Sequence, residues 1–134
     1  MTLLHLKLYG AMLAGFLAID FVWLAFVART FYRKHLGFLL ADQVQWPAAI
    51  VFYLLFVAGL LVFAVMPALR EGSFQRAVLL GAFFGLVTYA TYDLTNQATV
   101  KNWPWIVTVV DLAWGTLLAA TVSGIGYLAG NWLR

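Results

Sequence analysis

Three carboxylates interrupt otherwise apolar stretches of this chain and are the residues best suited to chemistry: Asp20, Asp93 and Asp111. A charged group in hydrocarbon is costly, so such residues normally face a partner or a water-filled cavity. Two carboxylates close together rarely both ionise and usually share a proton. Such a pair can act as general acid and base, as a proton relay or as a cation site. The alternative is structural, with each aspartate hydrogen-bonded to a neighbouring helix.

Polar and aromatic side chains surround these carboxylates at helical spacing. Tyr89, Asp93 and Asn96 fall on one face of a helix, at i, i+4 and i+7. Trp23 follows Asp20 at i+3, a spacing that also shares a face. We therefore take the three aspartates as candidate catalytic residues. The candidate ligand-binding residues are Trp23, Tyr89, Tyr92, Asn96, Lys101, Thr108 and Trp114.

The sequence does not predict a metal site or a familiar nucleophile motif. It has no cysteine, and His5 and His35 lie at opposite ends of the first predicted span, so neither thiolates nor paired histidines are available. Carboxylate and amide oxygens would suit magnesium or calcium better than zinc. No Ser-His-Asp pattern and no glycine-rich phosphate loop occurs, and the identity of any cofactor stays open.

The composition is that of an integral membrane protein. Of the 134 residues, 65% are hydrophobic and 10% are charged, whereas an ordinary globular domain carries about 25% charged residues. This length accommodates four spans of about 20 residues with short connections. The net charge of +3 comes from basic residues dispersed between the apolar runs. That distribution favours lipid headgroups as partners and argues against nucleic acid.

The apolar runs predict one all-α integral membrane domain over residues 1–134, a four-transmembrane-helix bundle with spans at approximately 8–28, 47–69, 77–98 and 104–128. We expect the first span to be retained, because its apolar run is longer than the core of a secretory signal. The basic and aromatic segment 29–45 predicts a short interfacial segment between the first two helices, with a solvated loop as the alternative. The second span carries no charge, and we expect it to pack or face lipid.

The short connections place the three aspartates in one layer of the membrane. At 1.5 Å per residue, Asp93, Asp111 and Asp20 lie about 7, 10 and 13 Å from the same face. Lys101 also lies at this face, where it could pair with an aspartate or attract an anionic headgroup. The nearby tryptophans are typical of any membrane interface and do not by themselves indicate a site.

Local patterns predict how two of the helices begin and approach each other. Ser73 is a candidate N-cap for the third helix, and Asn102 is a candidate cap for the fourth. Gly81 and Gly85 form a G-x-x-x-G pair, a spacing that permits another helix to approach closely in lipid.

Three segments around the aspartates carry a family resemblance: AIDFVWL at 18–24, TYDLTN at 91–96 and VVDLAWG at 109–115. With them the chain resembles, over nearly its whole length, the bacterial membrane proteins grouped as domain-of-unknown-function family 2177. The resemblance implies a small four-span inner-membrane protein and no particular activity. Gln97 stands where the family pattern leads us to expect an apolar residue.

Three functions are compatible with these patterns. The first is lipid binding, extended to lipid modification if Asp93 and Asp111 act as acid and base while Tyr92 and Asn96 orient the substrate. The second is a structural or assembly subunit of a membrane complex. The third is a small proton-coupled transporter acting as an oligomer. Membrane lipids are the expected partners in the first case, and a second copy or a partner membrane protein in the others.

The charge pattern does not determine the orientation expected in a bacterial inner membrane. Four basic residues fall at each face, so the positive-inside rule has nothing to act on. The adjacent pair Arg33 and Lys34 favours placing its own face, with the aspartates, in the cytoplasm. A dual topology is compatible with the same balance.

Overall fold

The computed structural model describes residues 2–134, and every regular element within that range is helical. Four helices in this range are long and apolar enough to cross a membrane: α1 (Leu3–Leu36), α2 (Trp46–Glu71), α3 (Phe74–Thr99) and α4 (Trp105–Leu133). The prediction of an all-α, four-helix membrane bundle is therefore confirmed.

The buried face of α1 explains why Asp20 points into the bundle. Leu8, Met12 and Phe16 recur at every fourth position and are completely buried, so they form one stripe along the helix. Asp20 is the next residue of that stripe and is also buried. The aspartate thus occupies a position that helical periodicity assigns to the core.

A π-helical turn at Leu24–Ala28 interrupts α1 just beyond Asp20. Such a turn inserts one residue, which rotates the following side chains by about 100° relative to an unbroken α-helix. Leu36 is thereby buried, and Tyr32 is directed towards α4. The basic and aromatic residues expected in a short interfacial segment form the last two turns of α1, Arg29–Leu36, and the connection to α2 follows at 37–45.

A second π-helical turn, Leu61–Val65, lies in α2 shortly before Pro67. Proline lacks an N–H, and its ring clashes with the carbonyl group four residues earlier, so a widened turn accommodates it without ending the helix. α2 therefore continues through Pro67 to Glu71, where Gly72 adopts a left-handed conformation with φ of 67°.

The helices α3 and α4 form a closely packed antiparallel pair. Ser73 caps α3 as predicted, because its hydroxyl accepts a hydrogen bond from the Arg76 backbone N–H at 3.1 Å. Gly81 and Gly85 are buried against α4, and a Cβ on Gly85 would clash with the carbonyl oxygen of Gly115. The G-x-x-x-G pair therefore makes the close helix contact that its spacing permits.

The turn between α3 and α4 lies at the same end of the bundle as the end of α1. Leu36 packs against Trp103 and Val107 in one apolar cluster.

The prediction that Asn102 caps α4 was wrong, because Pro104 occupies the N-cap position and no side chain caps the helix. Asn102 instead takes a left-handed conformation in the turn, with φ of 62°, which asparagine tolerates better than most residues.

Candidate functional site

A cavity of about 410 Å³ lies among the four helices and the 37–45 connection, and we call it the central cavity. This volume is typical of small-molecule sites. The lining combines acidic, phenolic, indole and aliphatic side chains: Asp20, Trp23, Leu24, Tyr32, Leu36, Leu40, Tyr53, Tyr89, Tyr92, Asp111 and Trp114. Two of the three candidate aspartates and four of the candidate aromatic residues therefore border one space.

Asp111 lies at the centre of the polar contacts in this cavity. It is buried on the inner face of α4, and its Oδ1 accepts a hydrogen bond from the Tyr32 hydroxyl of α1. Tyr32 can reach it because the π-helical turn at Leu24–Ala28 redirects the end of α1. The bond fixes the orientation of a carboxylate that also faces the cavity.

Asp20 is held on the other side of the cavity by a pair of stacked indoles. The Trp114 Nε1 donates a hydrogen bond to Asp20 Oδ1 at 3.4 Å, a long and therefore weak interaction. The Trp114 ring stacks on Trp23, with ring centroids 4.2 Å apart and planes inclined by 9°. Asp20 and the two indoles thus join α1 to α4 and form one wall of the cavity.

Asp93 is buried behind Asp111 and does not line the central cavity. Its side chain is 0% exposed, and neither carboxyl oxygen has a hydrogen-bond partner within the described chain. Its carboxyl group lies close enough to that of Asp111 for the two groups to interact directly. Because buried polar groups are almost always hydrogen-bonded, Asp93 is the least satisfied polar group of the site.

A second cavity of about 390 Å³ reaches Asp111 from the side of α2, and it is lined by Phe52, Thr88, Tyr89, Tyr92 and Asp111. Tyr89, Tyr92 and Asp111 border both cavities. Gly115 makes this arrangement possible, because a Cβ at that position would overlap the Tyr89 ring.

A groove of about 950 Å³ adjoins the central cavity beneath the 37–45 connection, and we call it the basic groove. Arg29 and Arg33, one turn apart on α1, line it together with Asp42 of the connection, so its charged residues are two basic and one acidic. It shares Leu24, Tyr32 and Leu40 with the central cavity. The cavity with the carboxylates therefore borders a surface with two guanidinium groups.

Three of the candidate ligand-binding residues lie outside the central cavity. Thr108 is buried, where its hydroxyl donates a hydrogen bond to Gln97 Oε1 at 2.7 Å and accepts one from Trp103 Nε1 at 3.2 Å. Asn96 is half-buried and Lys101 is exposed in the turn after α3. In the part of the chain that the structure describes, Lys101 forms no ion pair with an aspartate.

Tyr32 and Tyr53 line the central cavity but were not among the sequence-based candidates. Tyr53 belongs to the span that we expected only to pack or face lipid. Its phenol is the polar exception in that uncharged span, and this isolated polar group could have marked Tyr53 as a candidate site residue. Tyr32 offered no such pattern, because its direction depends on a π-helical turn that nothing in the local sequence marks.

The carboxylates of the cavity can accept protons or bind cations. Asp20 and Asp111 are the two aspartates that line the central cavity. No group of three or more histidine, cysteine or acidic side chains is placed to hold a metal ion within residues 2–134.

Four spanning helices around buried carboxylates define a small multi-pass membrane protein. The family model described as "Predicted membrane protein (DUF2177)" matches residues 5–128, and the chain belongs to this family. No curated protein and no solved structure matches the chain.

Proposed function

We propose that this membrane protein binds an amphipathic, lipid-like ligand in the central cavity, with the polar group of the ligand beside Asp20 and Asp111. The lining of the cavity carries this proposal, since two buried carboxylates and several phenols and indoles stand within helices long enough to cross a membrane. Ionisable residues inside spans usually mark functional sites. A mostly apolar cavity with a few converging polar groups is the usual form of a ligand site.

Modification of the bound lipid is the reaction class that this site supports. A carboxylate held by a tyrosine hydroxyl can accept a proton from a ligand hydroxyl or amine within hydrogen-bond reach. Asp111 has that arrangement and faces the cavity, as does Asp20 on the opposite wall. We therefore propose Asp111 and Asp20 as the acid–base candidates, with Asp93 supporting Asp111 from behind rather than touching the ligand.

A structural role is the second candidate, and one observation favours it. The Tyr32–Asp111 and Trp114–Asp20 hydrogen bonds each join α1 to α4. Polar side chains bonded across helices stabilise membrane bundles by about 0.6 kcal/mol on average. If the aspartates only join helices, their replacement should cause misfolding or loss of protein partners. Binding of a ligand that does not contact them should then be unaffected.

The first test is native mass spectrometry of the mildly extracted protein beside its Asp111→Asn and Asp20→Asn variants. We expect a co-purifying lipid on the unmodified chain that is reduced on both variants while they remain folded. Glu71→Gln is the matched control, because Glu71 is exposed and pairs with Arg76 near the turn between α2 and α3. Loss of fold or of a protein partner in the two aspartate variants, with lipid unaffected, would support the structural role instead.

The proposal also places the protein in a bacterial inner membrane, which the family resemblance supports. Fractionation of a bacterial host, followed by cysteine labelling at Gly72 and Ala41, tests both location and orientation. Labelling of both positions from the same side would contradict the four-span topology.

A further inference from the structure

The carboxylates of the central cavity have no cationic partner among residues 2–134. The ion pair in this range joins Arg76 to Glu71, in the turn between α2 and α3. Asp111 and Asp20 accept hydrogen bonds from a phenol and an indole, which carry no charge. Asp93 is fully buried behind Asp111, and apart from the Asp111 carboxyl group no side chain or backbone group within residues 2–134 lies close enough to hydrogen-bond with it. A buried acidic group either takes up a proton or pairs with a positive charge, and among residues 2–134 no side chain supplies that charge.

The aromatic walls of the same cavity favour a cation as well. Trp23 and Trp114 stack on one side, and Tyr53, Tyr89 and Tyr92 line the remainder. The faces of aromatic rings attract ammonium groups, and cages of such rings recognise quaternary ammonium ligands. Carboxylates and aromatic rings therefore line the same cavity, and both favour an ammonium group as the ligand.

The basic groove supplies the opposite charge next to this cavity. Arg29 and Arg33 line it, and both are exposed. A guanidinium group presents a planar fork of donors that matches a phosphate. Tyr32 borders both spaces and its hydroxyl donates a hydrogen bond to Asp111, so it marks the boundary between the acidic and the basic regions.

We propose that the ligand is an amine-bearing phospholipid whose ammonium group occupies the central cavity and whose phosphate contacts Arg29 and Arg33 in the basic groove. This inference rests on the proposed function and adds the chemical class of the ligand. The adjoining acidic and basic spaces match the adjoining charges of a zwitterionic headgroup. The central cavity lies among the spanning helices and the basic groove lies at their end, beneath the 37–45 connection, which favours a membrane lipid over a soluble phosphate ester as the source.

The test compares lipids that share a phosphate and acyl chains but differ in the cation. Delipidated protein is titrated in detergent with phosphatidylethanolamine, phosphatidylcholine or phosphatidylglycerol, and bound lipid is measured by native mass spectrometry. We expect one or both amine lipids to bind about tenfold more tightly than phosphatidylglycerol, which has no cation. Water-soluble phosphoethanolamine at the same concentration should not displace the bound lipid.

Variants separate the two halves of the proposed site. Asp20→Asn and Asp111→Asn should reduce the preference for amine lipids over phosphatidylglycerol, whereas the double variant Arg29→Gln, Arg33→Gln should weaken binding of all three. Lys7→Gln is the control for the arginine variant, because Lys7 is an exposed residue near the other end of α1. The comparison of lipids on the unmodified protein needs no variant and stands even where a substitution prevents folding.

Each outcome bears on a different part of the proposal. Equal binding of phosphatidylglycerol and the amine lipids overturns the ammonium site but leaves a lipid-binding protein. Displacement by phosphoethanolamine overturns the membrane source of the ligand. Binding of none of the three lipids overturns both this inference and the proposed function.

Discussion

The phenol of Tyr32 and the carboxylate of Asp111 join α1 to α4 at the central cavity, through a hydrogen bond from the hydroxyl to Oδ1. Another tyrosine of α1, Tyr9, donates a hydrogen bond to the Leu54 carbonyl of α2 at 2.8 Å. Both bonds connect neighbouring helices, but only that of Tyr32 ends at a residue of the site. The two tyrosines therefore provide a matched pair for separating stability from ligand binding.

Tyr32→Phe is expected to weaken both stability and lipid retention. Removal of the hydroxyl leaves Asp111 without this donor, and a side-chain hydrogen bond between membrane helices contributes about 0.6 kcal/mol on average and up to about 1.7 kcal/mol. Tyr9→Phe also removes a bond between two helices, so a loss of stability of similar size is expected. Unfolding in sodium dodecyl sulfate measures the stability change, and native mass spectrometry measures retained lipid. Equal loss of lipid in both variants would show that Tyr32 acts only through stability.

The close contact of α3 with α4 predicts that Gly85→Ala is strongly destabilising. The added Cβ would clash with the Gly115 carbonyl and with Ala119, so the two helices must separate. Overpacking of this kind costs about 1–3 kcal/mol. Gly10→Ala is the control, since no atom lies within 4 Å of its added Cβ and alanine favours a helix by about 1 kcal/mol over glycine.

Thermal unfolding followed by circular dichroism measures both glycine variants in the same detergent. We expect a lower midpoint for Gly85→Ala and an unchanged or higher midpoint for Gly10→Ala. A tolerated Gly85→Ala would mean that α3 and α4 are further apart than the structure shows.

Much of the fold follows from sequence patterns, and the exceptions have identifiable causes. Asp20 continues a stripe of buried residues at every fourth position, so its inward direction could be predicted from periodicity. The G-x-x-x-G pair and the Ser73 cap were predicted for similar local reasons. The direction of Tyr32 was not predictable, because one extra residue in a π-helical turn rotates everything after it.

The arrangement of the carboxylates followed only in part from depth along the helices. Counting residues predicted that Asp20, Asp93 and Asp111 share a layer, but depth does not determine rotation about the bundle axis. The structure places Asp93 behind Asp111 rather than beside it at the cavity. Which carboxylate meets a ligand is therefore a property of packing among three helices, and no single helix encodes it.

Gln97 stabilises the turn between α3 and α4, and its replacement should act there alone. Its Nε2 donates a hydrogen bond to the Trp103 carbonyl at 2.8 Å, and its Oε1 accepts one from Thr108. Gln97→Leu should therefore lower the free energy of unfolding by about 1–2 kcal/mol. Amide hydrogen exchange in 100–103 should become faster while lipid retention stays unchanged. Lost lipid with unaltered exchange would place Gln97 in the site rather than in the turn.

The unsatisfied carboxyl group of Asp93 predicts that two similar substitutions have opposite effects on stability. Asp93→Asn introduces an amide N–H that can donate to the neighbouring Asp111, so the free energy of unfolding should hold or rise by about 1 kcal/mol. Asp111→Asn replaces the charged acceptor of Tyr32 by a neutral one, so stability should fall by about 1 kcal/mol.

Chemical unfolding of both aspartate variants in one detergent gives this comparison directly, with Glu71→Gln as the exposed carboxylate control. If the Asp93→Asn variant is stable but has lost its lipid or its turnover, Asp93 has a role in function. Replacement of a residue that only joins helices should lower the free energy of unfolding. A strongly destabilised Asp93→Asn variant would instead show that the buried carboxyl group stabilises the bundle, which favours the structural role for the aspartate layer.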